Sequence, residues 1–197
     1  MANQTDNFIT GLSQPTHQNL IIMKLLPTLS AILTFIVLTS SHCRKHPINP
    51  VLPPETQTGA NTFGCKVNGD IWIPNGAPFT IPAFDVQYYK STGGLLIKTN
   101  RSDKGQSLNI YLYGVYQPNQ YNIFNPNTNA FVYSNSNSSC NWYDRNNSSQ
   151  TGIVSVTKID TTNKIVSGRF NGAILLNGCP DINITDGRFD FKMDIFN

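Results

Sequence analysis

With 197 residues, 39% hydrophobic, including 11 Phe, 8 Tyr and 2 Trp, the chain has the material for one packed domain, and this excludes disorder throughout. Its formal charge of +3 is scattered, and no Lys/Arg run exceeds Arg44-Lys45, which excludes a nucleic-acid footprint. Charged residues make up only 13%, and 24 Asn stand in their place, a residue that suits turns in a β protein better than helices.

Residues 1–22 hold one charged residue, Asp6, and no Lys or Arg. A secretory n-region is short and positive, so this stretch reads as a mis-assigned extension, with Met23-Lys24 as the true start. From Leu25 to Leu38 the chain is uncharged and apolar, then small polar residues lead to Cys43. Residues 23–42 therefore read as a signal peptide with a helical apolar segment, and at 14 residues the run is short for a membrane span. Cys43 sits where bacterial lipoproteins carry their lipid, although Ser40 at −3 and His42 at −1 depart from the usual lipobox. Lipidation at Cys43 is the preferred reading, and a conventional cut after Ser40 or Ser41 is the alternative. Arg44 at +2, in place of Asp, removes the common inner-membrane retention signal. Residues 43–62 then read as the anchor site and a Pro-rich tether that lifts the domain off a membrane.

The domain is expected over 63–197. Cys65–Val67 and Ile71–Ile73 flank Asn68-Gly69, a type I′ hairpin signal. Val86–Lys90 and Leu95–Thr99 flank Thr92-Gly93-Gly94. Leu108, Ile110 and Leu112 alternate with Asn109, Tyr111 and Tyr113. Ile153–Ile159 is rich in Val, Ile and Thr, and Lys164–Leu176 sets Val166, Gly168, Phe170, Gly172 and Ile174 on one face. In the last strand Phe189, Phe191, Met193 and Ile195 point one way, and Arg188, Asp190, Lys192 and Asp194 point to water. No helical stripe appears. About nine to ten short strands imply an all-β fold, an antiparallel β-sandwich or barrel-like sheet.

Three strings, 61–69 (NTFGCKVNG), 165–170 (IVSGRF) and 184–190 (ITDGRFD), resemble an uncharacterised family of small exported β-rich lipoproteins of Bacteroidota-type bacteria. The resemblance spans the domain from about residue 61 onward and implies a β-rich envelope domain of unknown function. It carries over no catalytic residue.

The chemistry of the domain is sparse. His17, His42 and His46 all precede it, and the only Glu, Glu55, is in the tether. No Ser-His or Cys-His pair and no His-based zinc site is expected, so no catalytic residue, metal or cofactor is assigned. Asp186, Asp190 and Asp194 read as a solvated face with cross-strand ion pairs. Asp181–Gly187 has a faint calcium-loop pattern without its closing acid and reads as a turn into the last strand. Asp160-Thr161-Thr162 is good hairpin-turn chemistry and also matches the short O-glycosylation acceptor of such bacteria, at Thr161. If Cys43 carries lipid, Cys65, Cys140 and Cys179 allow at most one bond, and Cys140–Cys179, both in polar loops, is the favoured pair.

Residues 116–147 interleave seven aromatics with Asn, Gln and Ser. Either Phe131 and Tyr133 are core positions between Asn-rich turns, or the segment stacks sugar rings on exposed Trp142, Tyr143 and Tyr121, with Asn141 and Asp144 as polar partners. The expected role is a non-catalytic structural or interaction lipoprotein of the outer membrane, anchored through lipid. A glycan- or small-ligand-binding module is the alternative, as is a secreted or periplasmic location. The expected partners are the membrane, a glycan or an envelope protein, with no nucleic acid.

Overall fold

The computed structural model describes residues 50–124, 128–142 and 148–197. The expected extension and signal segment, Cys43, Tyr143 and Asp144 lie outside the described residues. Among the described residues eleven strands form two sheets packed as a sandwich. Sheet A has the order β2-β1-β10-β9-β8-β6 and sheet B the order β11-β3-β4-β5-β7. The strands are β1 Thr62–Val67, β2 Asp70–Trp72, β3 Phe84–Tyr89, β4 Gly94–Arg101, β5 Gln106–Leu112, β6 Asn119–Ile123, β7 Ala130–Asn135, β8 Ser148–Asp160, β9 Ile165–Leu176, β10 Ile182–Lys192 and β11 Asp194–Phe196. A 3-10 turn, Ser102–Lys104, links β4 to β5.

The local signals behave as their chemistry requires. Asn68 (φ 51) and Gly69 (φ 89) both take the left-handed conformation that a type I′ turn needs. The alternating residues Leu108, Ile110 and Leu112 are all at most 1% exposed, and they meet Phe63, Phe170 and Phe191 from the facing sheet in one continuous core.

The two Gly-Arg-Phe strings prove to be partners. β9 and β10 pair antiparallel with Gly187 opposite Phe170, Arg188 opposite Arg169 and Phe189 opposite Gly168. Each glycine seats the other strand's ring: a Cβ on Gly168 would lie 2.6 Å from the Phe189 ring, and one on Gly187 would lie 2.6 Å from the Phe170 ring. The aromatic pair fills the core only because the position across from each ring is bare. A third ring, Phe131, lies over Gly172 in the same way. The likeness of the two strings in sequence thus has a structural reason, since each supplies the bare position that the other's ring needs.

Three expectations are corrected. The last strand is not continuous: it breaks at Met193, and β11 crosses to sheet B, where it pairs parallel with β3. Phe189, Phe191, Met193 and Ile195 still face the core, because both sheets bury toward the same interior. The second half of the expected tether is not a free spacer. Residues 50–61 lie along the outer face of sheet A, with Pro53 against Gly64 and Gln57 accepting a hydrogen bond from Lys158 Nζ at 2.9 Å. Finally, Asp190 is not solvated but 1% exposed. This strap covers it and donates to it, as described below.

Candidate ligand surface

Of the residues first expected to stack a ligand, Tyr143 and Asp144 lie outside the described residues, and Trp142 and Tyr121 turn inward. Trp142 is 3% exposed; its ring meets Tyr133 edge-on at 5.5 Å and its Nε1 donates to the Pro180 carbonyl at 3.0 Å. Beside it Cys140 and Cys179 form the expected disulfide, with Cα atoms 5.9 Å apart. Ring and bond together tie the segment after β7 to the β9–β10 turn, so Trp142 is a core plug. Tyr121 is partly buried and its hydroxyl donates to the Gln117 carbonyl at 3.0 Å, while Asn141 is exposed. Trp142 is therefore not an exposed stacking ring, since aromatics in a small sandwich are drawn to its unfilled ends.

Asp181–Gly187 is mostly strand. Its bulge leaves Asp186 at φ 54, paired with Lys66 Nζ at 2.8 Å across the sheet, as a cross-strand ion pair and not a cation loop. Among the described residues no group of three His, Cys, Asp or Glu side chains converges as a metal site would require. Thr161 is exposed in the β8–β9 turn, where Asp160 accepts from the Thr162 and Asn163 amides at 3.1 and 2.8 Å.

Two other surfaces emerge from strand pairing. The first is an aromatic shelf on the outward face of sheet B. Phe196 of β11 pairs with Tyr89 of β3, and Tyr89 pairs with Gly94 of β4. Leu95 pairs with Leu112, which puts Tyr113 next to Gly94 on the far side. The glycine leaves a gap in this row, and Leu96 and Tyr111 border it one step along the strands. The result is a shallow depression of about 330 Å3 lined by Tyr89, Thr92, Gly94, Leu96, Tyr111 and Tyr113. Tyr89, Tyr113 and Phe196 remain 38%, 56% and 43% exposed. Tyr89 and Phe196 stack at 5.2 Å with planes 21° apart. The Tyr89 hydroxyl donates to Gln87 Oε1 at 2.9 Å, and Gln87 donates to Asp85 at 2.9 Å, where Lys98 also donates. That chain fixes Tyr89 and leaves its ring face open. The lining side chains are aromatic, aliphatic and hydroxyl groups, with no carboxylate, imidazole or thiol among them, so the shelf offers flat apolar faces edged by hydroxyls. Outward Tyr111 and Tyr113 in the β5 alternation were the legible signal; Tyr89, Gly94 and Phe196 join them only through pairing.

The second surface lies under the strap. Arg169 and Arg188 stand directly opposite on the outer face of sheet A, an arrangement of like charges that is unfavourable unless neutralised. The strap supplies the partners: Glu55 Oε2 accepts from both Nε and Nη2 of Arg169, and the Pro53 carbonyl accepts from Arg188 at 3.4 Å. A cleft of about 300 Å3 remains, lined by Glu55, Gln57, Thr157, Arg169 and Arg188 among others. One step along, Asp190 Oδ1 accepts from the Gly59 amide at 2.8 Å and the Ser167 hydroxyl at 2.7 Å. Its Oδ2 accepts from the Thr58 and Ala60 amides at 3.0 and 3.1 Å and from the Thr56 hydroxyl at 2.5 Å. Burial pushes the Asp190 pKa up, but the hydrogen bonds from Thr56, Ser167, Ala60 and Gly59 outweigh it and hold the carboxyl far below the usual range. Both features bind the chain's own strap, so their chemistry is spent on structure.

A family model described as a domain of unknown function (DUF6252) matches residues 63–191. The chain belongs to the DUF6252 family. No curated protein and no solved structure matches it. The DUF6252 match runs from Phe63 in β1 through the paired Gly-Arg-Phe strings to Phe191, which spans every strand of both sheets except β11. Thus the strap, and Phe196 of the shelf, lie outside the DUF6252 boundaries while packing on residues within them.

Proposed function

We propose that the chain is an exported, lipid-anchored module of the bacterial outer membrane that binds and does not catalyse. The shelf on sheet B takes a ligand with flat apolar faces and hydroxyl edges, the chemistry of a glycan. The aromatic shelf carries this reading: three exposed rings in one row, Tyr89, Tyr113 and Phe196, with a glycine gap between two of them, match the stacking of sugar rings better than the loop segment around Trp142 does. The export segment and Cys43 support the location, and a domain lacking His, with the chain's single Glu engaged by Arg169, supports a non-catalytic role.

The test is a titration of the protein with a panel of soluble neutral and acidic glycans, read by NMR shifts of the Tyr89, Tyr113 and Phe196 rings. At least one glycan should shift them, and Tyr113→Ala should weaken that binding by up to about tenfold at unchanged melting temperature, since aromatic contacts are worth about 0.5–1.5 kcal/mol. Rings unmoved across the panel would remove the glycan reading and leave a structural role for the lipoprotein.

A further inference from the structure

The loop between β2 and β3 ends in a strained apolar tip. Phe79 is 107% exposed, and Ile81 is 45% exposed. Phe79 holds φ +64, a conformation that costs a bulky L-residue about 1–2 kcal/mol. The turn is closed tightly: Ala77 N donates to Ile81 O at 2.8 Å, Ile81 N donates to Ala77 O at 3.2 Å, and Gly76 sits under the Ile81 carbonyl. Pro78 and Pro82 bracket the tip. A turn that needs positive φ is made at lower cost by Gly or Asn. The chain instead places a fully exposed apolar ring there, so the turn geometry alone does not account for the residue. No Asp, Glu, Lys or Arg occurs from Ile71 to Phe84.

The position of the tip indicates what it meets. Val51, itself 71% exposed, shares a depression of about 190 Å3 with Ile73, Pro74 and Phe84, the residues from which the finger leaves and to which it returns. The chain therefore joins the domain at the base of the finger. Val51 is eight positions along the chain from Cys43, a reach of at most about 28 Å. On the reading that Cys43 carries lipid, the base of the finger is held within about 28 Å of the bilayer surface.

We propose that the Phe79–Ile81 finger dips into the bilayer interface, a second membrane contact that orients the domain on its lipid anchor. An uncharged aromatic and aliphatic tip suits the headgroup–acyl boundary, where aromatic rings concentrate. The shelf borders the opposite ends of β3 and β4 from the finger, so this orientation turns the shelf away from the membrane.

The test uses the chain from Cys43 onward, whose core lies entirely within 63–195. Cys43 is coupled to a maleimide-headgroup lipid in phosphatidylethanolamine and phosphatidylglycerol vesicles, so the anchor is present whether or not a cell acylates that residue. Phe79→Trp reports the tip, Tyr113→Trp reports the far end, and buried Trp72 and Trp142 give a constant background. In the Phe79→Trp variant the added emission should shift to the blue and lose about half its intensity with brominated acyl chains, while that of the Tyr113→Trp variant is unaffected. No quenching in the Phe79→Trp variant, or equal quenching in both variants, overturns the proposal. The anchor is read separately from the N-terminal mass of the protein isolated from its native host, so the two readings fail independently.

Discussion

Asp190→Asn is the substitution that tests the strap most directly. The side chain keeps its size and stays buried, but an NH2 group replaces one acceptor oxygen. If Nδ2 takes the Oδ2 position, it faces the Thr58 and Ala60 amides, which lose their acceptor. The opposite flip orphans the Gly59 amide and forces the Ser167 hydroxyl to turn. Each lost charge-assisted bond costs about 1.5–3 kcal/mol, so the variant should be less stable by about 3–5 kcal/mol at pH 7. The pH dependence has a defined sign. The folded pKa lies below the unfolded value, so the carboxylate's contribution is fully present above about pH 4 and is lost as pH falls further. The wild type should therefore weaken sharply below pH 4, and Asp190→Asn should show a flatter acid limb. Urea unfolding at pH 7 and pH 3 measures both, and hydrogen exchange of the 58–60 amides locates the loss. A variant within about 0.5 kcal/mol of wild type at pH 7, or one that keeps the full acid slope, would refute the assignment of Asp190 as the strap's receptor.

Other outcomes follow from the same packing. Replacing Cys140 and Cys179 by Ser removes a link of sequence separation 39 and should cost about 4 kcal/mol in the chain-entropy model, read by urea unfolding; a loss under about 1 kcal/mol would mean that Trp142 alone closes that end. Cys65 is fully buried and burial pushes its thiol well above the usual range, so it should resist maleimide in the folded protein and react within minutes in denaturant. Gly168→Ala would set a Cβ 2.5 Å from the Ser155 carbonyl and 2.6 Å from the Phe189 ring, and should destabilise by about 2–3 kcal/mol; a neutral thermal melt would contradict the ring-over-glycine packing.

Much of the fold could be read in the chain because β structure writes its burial with period two. The alternations at Leu108–Leu112 and Phe189–Ile195 named the buried side chains, Asn68-Gly69 named its turn, and the polar loops around Cys140 and Cys179 named the disulfide. That alternation says which face is buried but not which sheet the strand joins, so the switch at Met193 was invisible. It cannot tell a free proline-rich tether from one that finds hydrogen-bond acceptors 130 residues away, because the Asp190 carboxylate looks the same whether water or amides surround it. Nor can it distinguish a ring that lies on the surface from one that plugs an end, which is why Trp142, expected on the surface, is found buried. The reciprocal Gly-Arg-Phe pair and the shelf were decided by register alone: a one-residue slip would turn every ring to the opposite face, and only the assembled sheets fix that register.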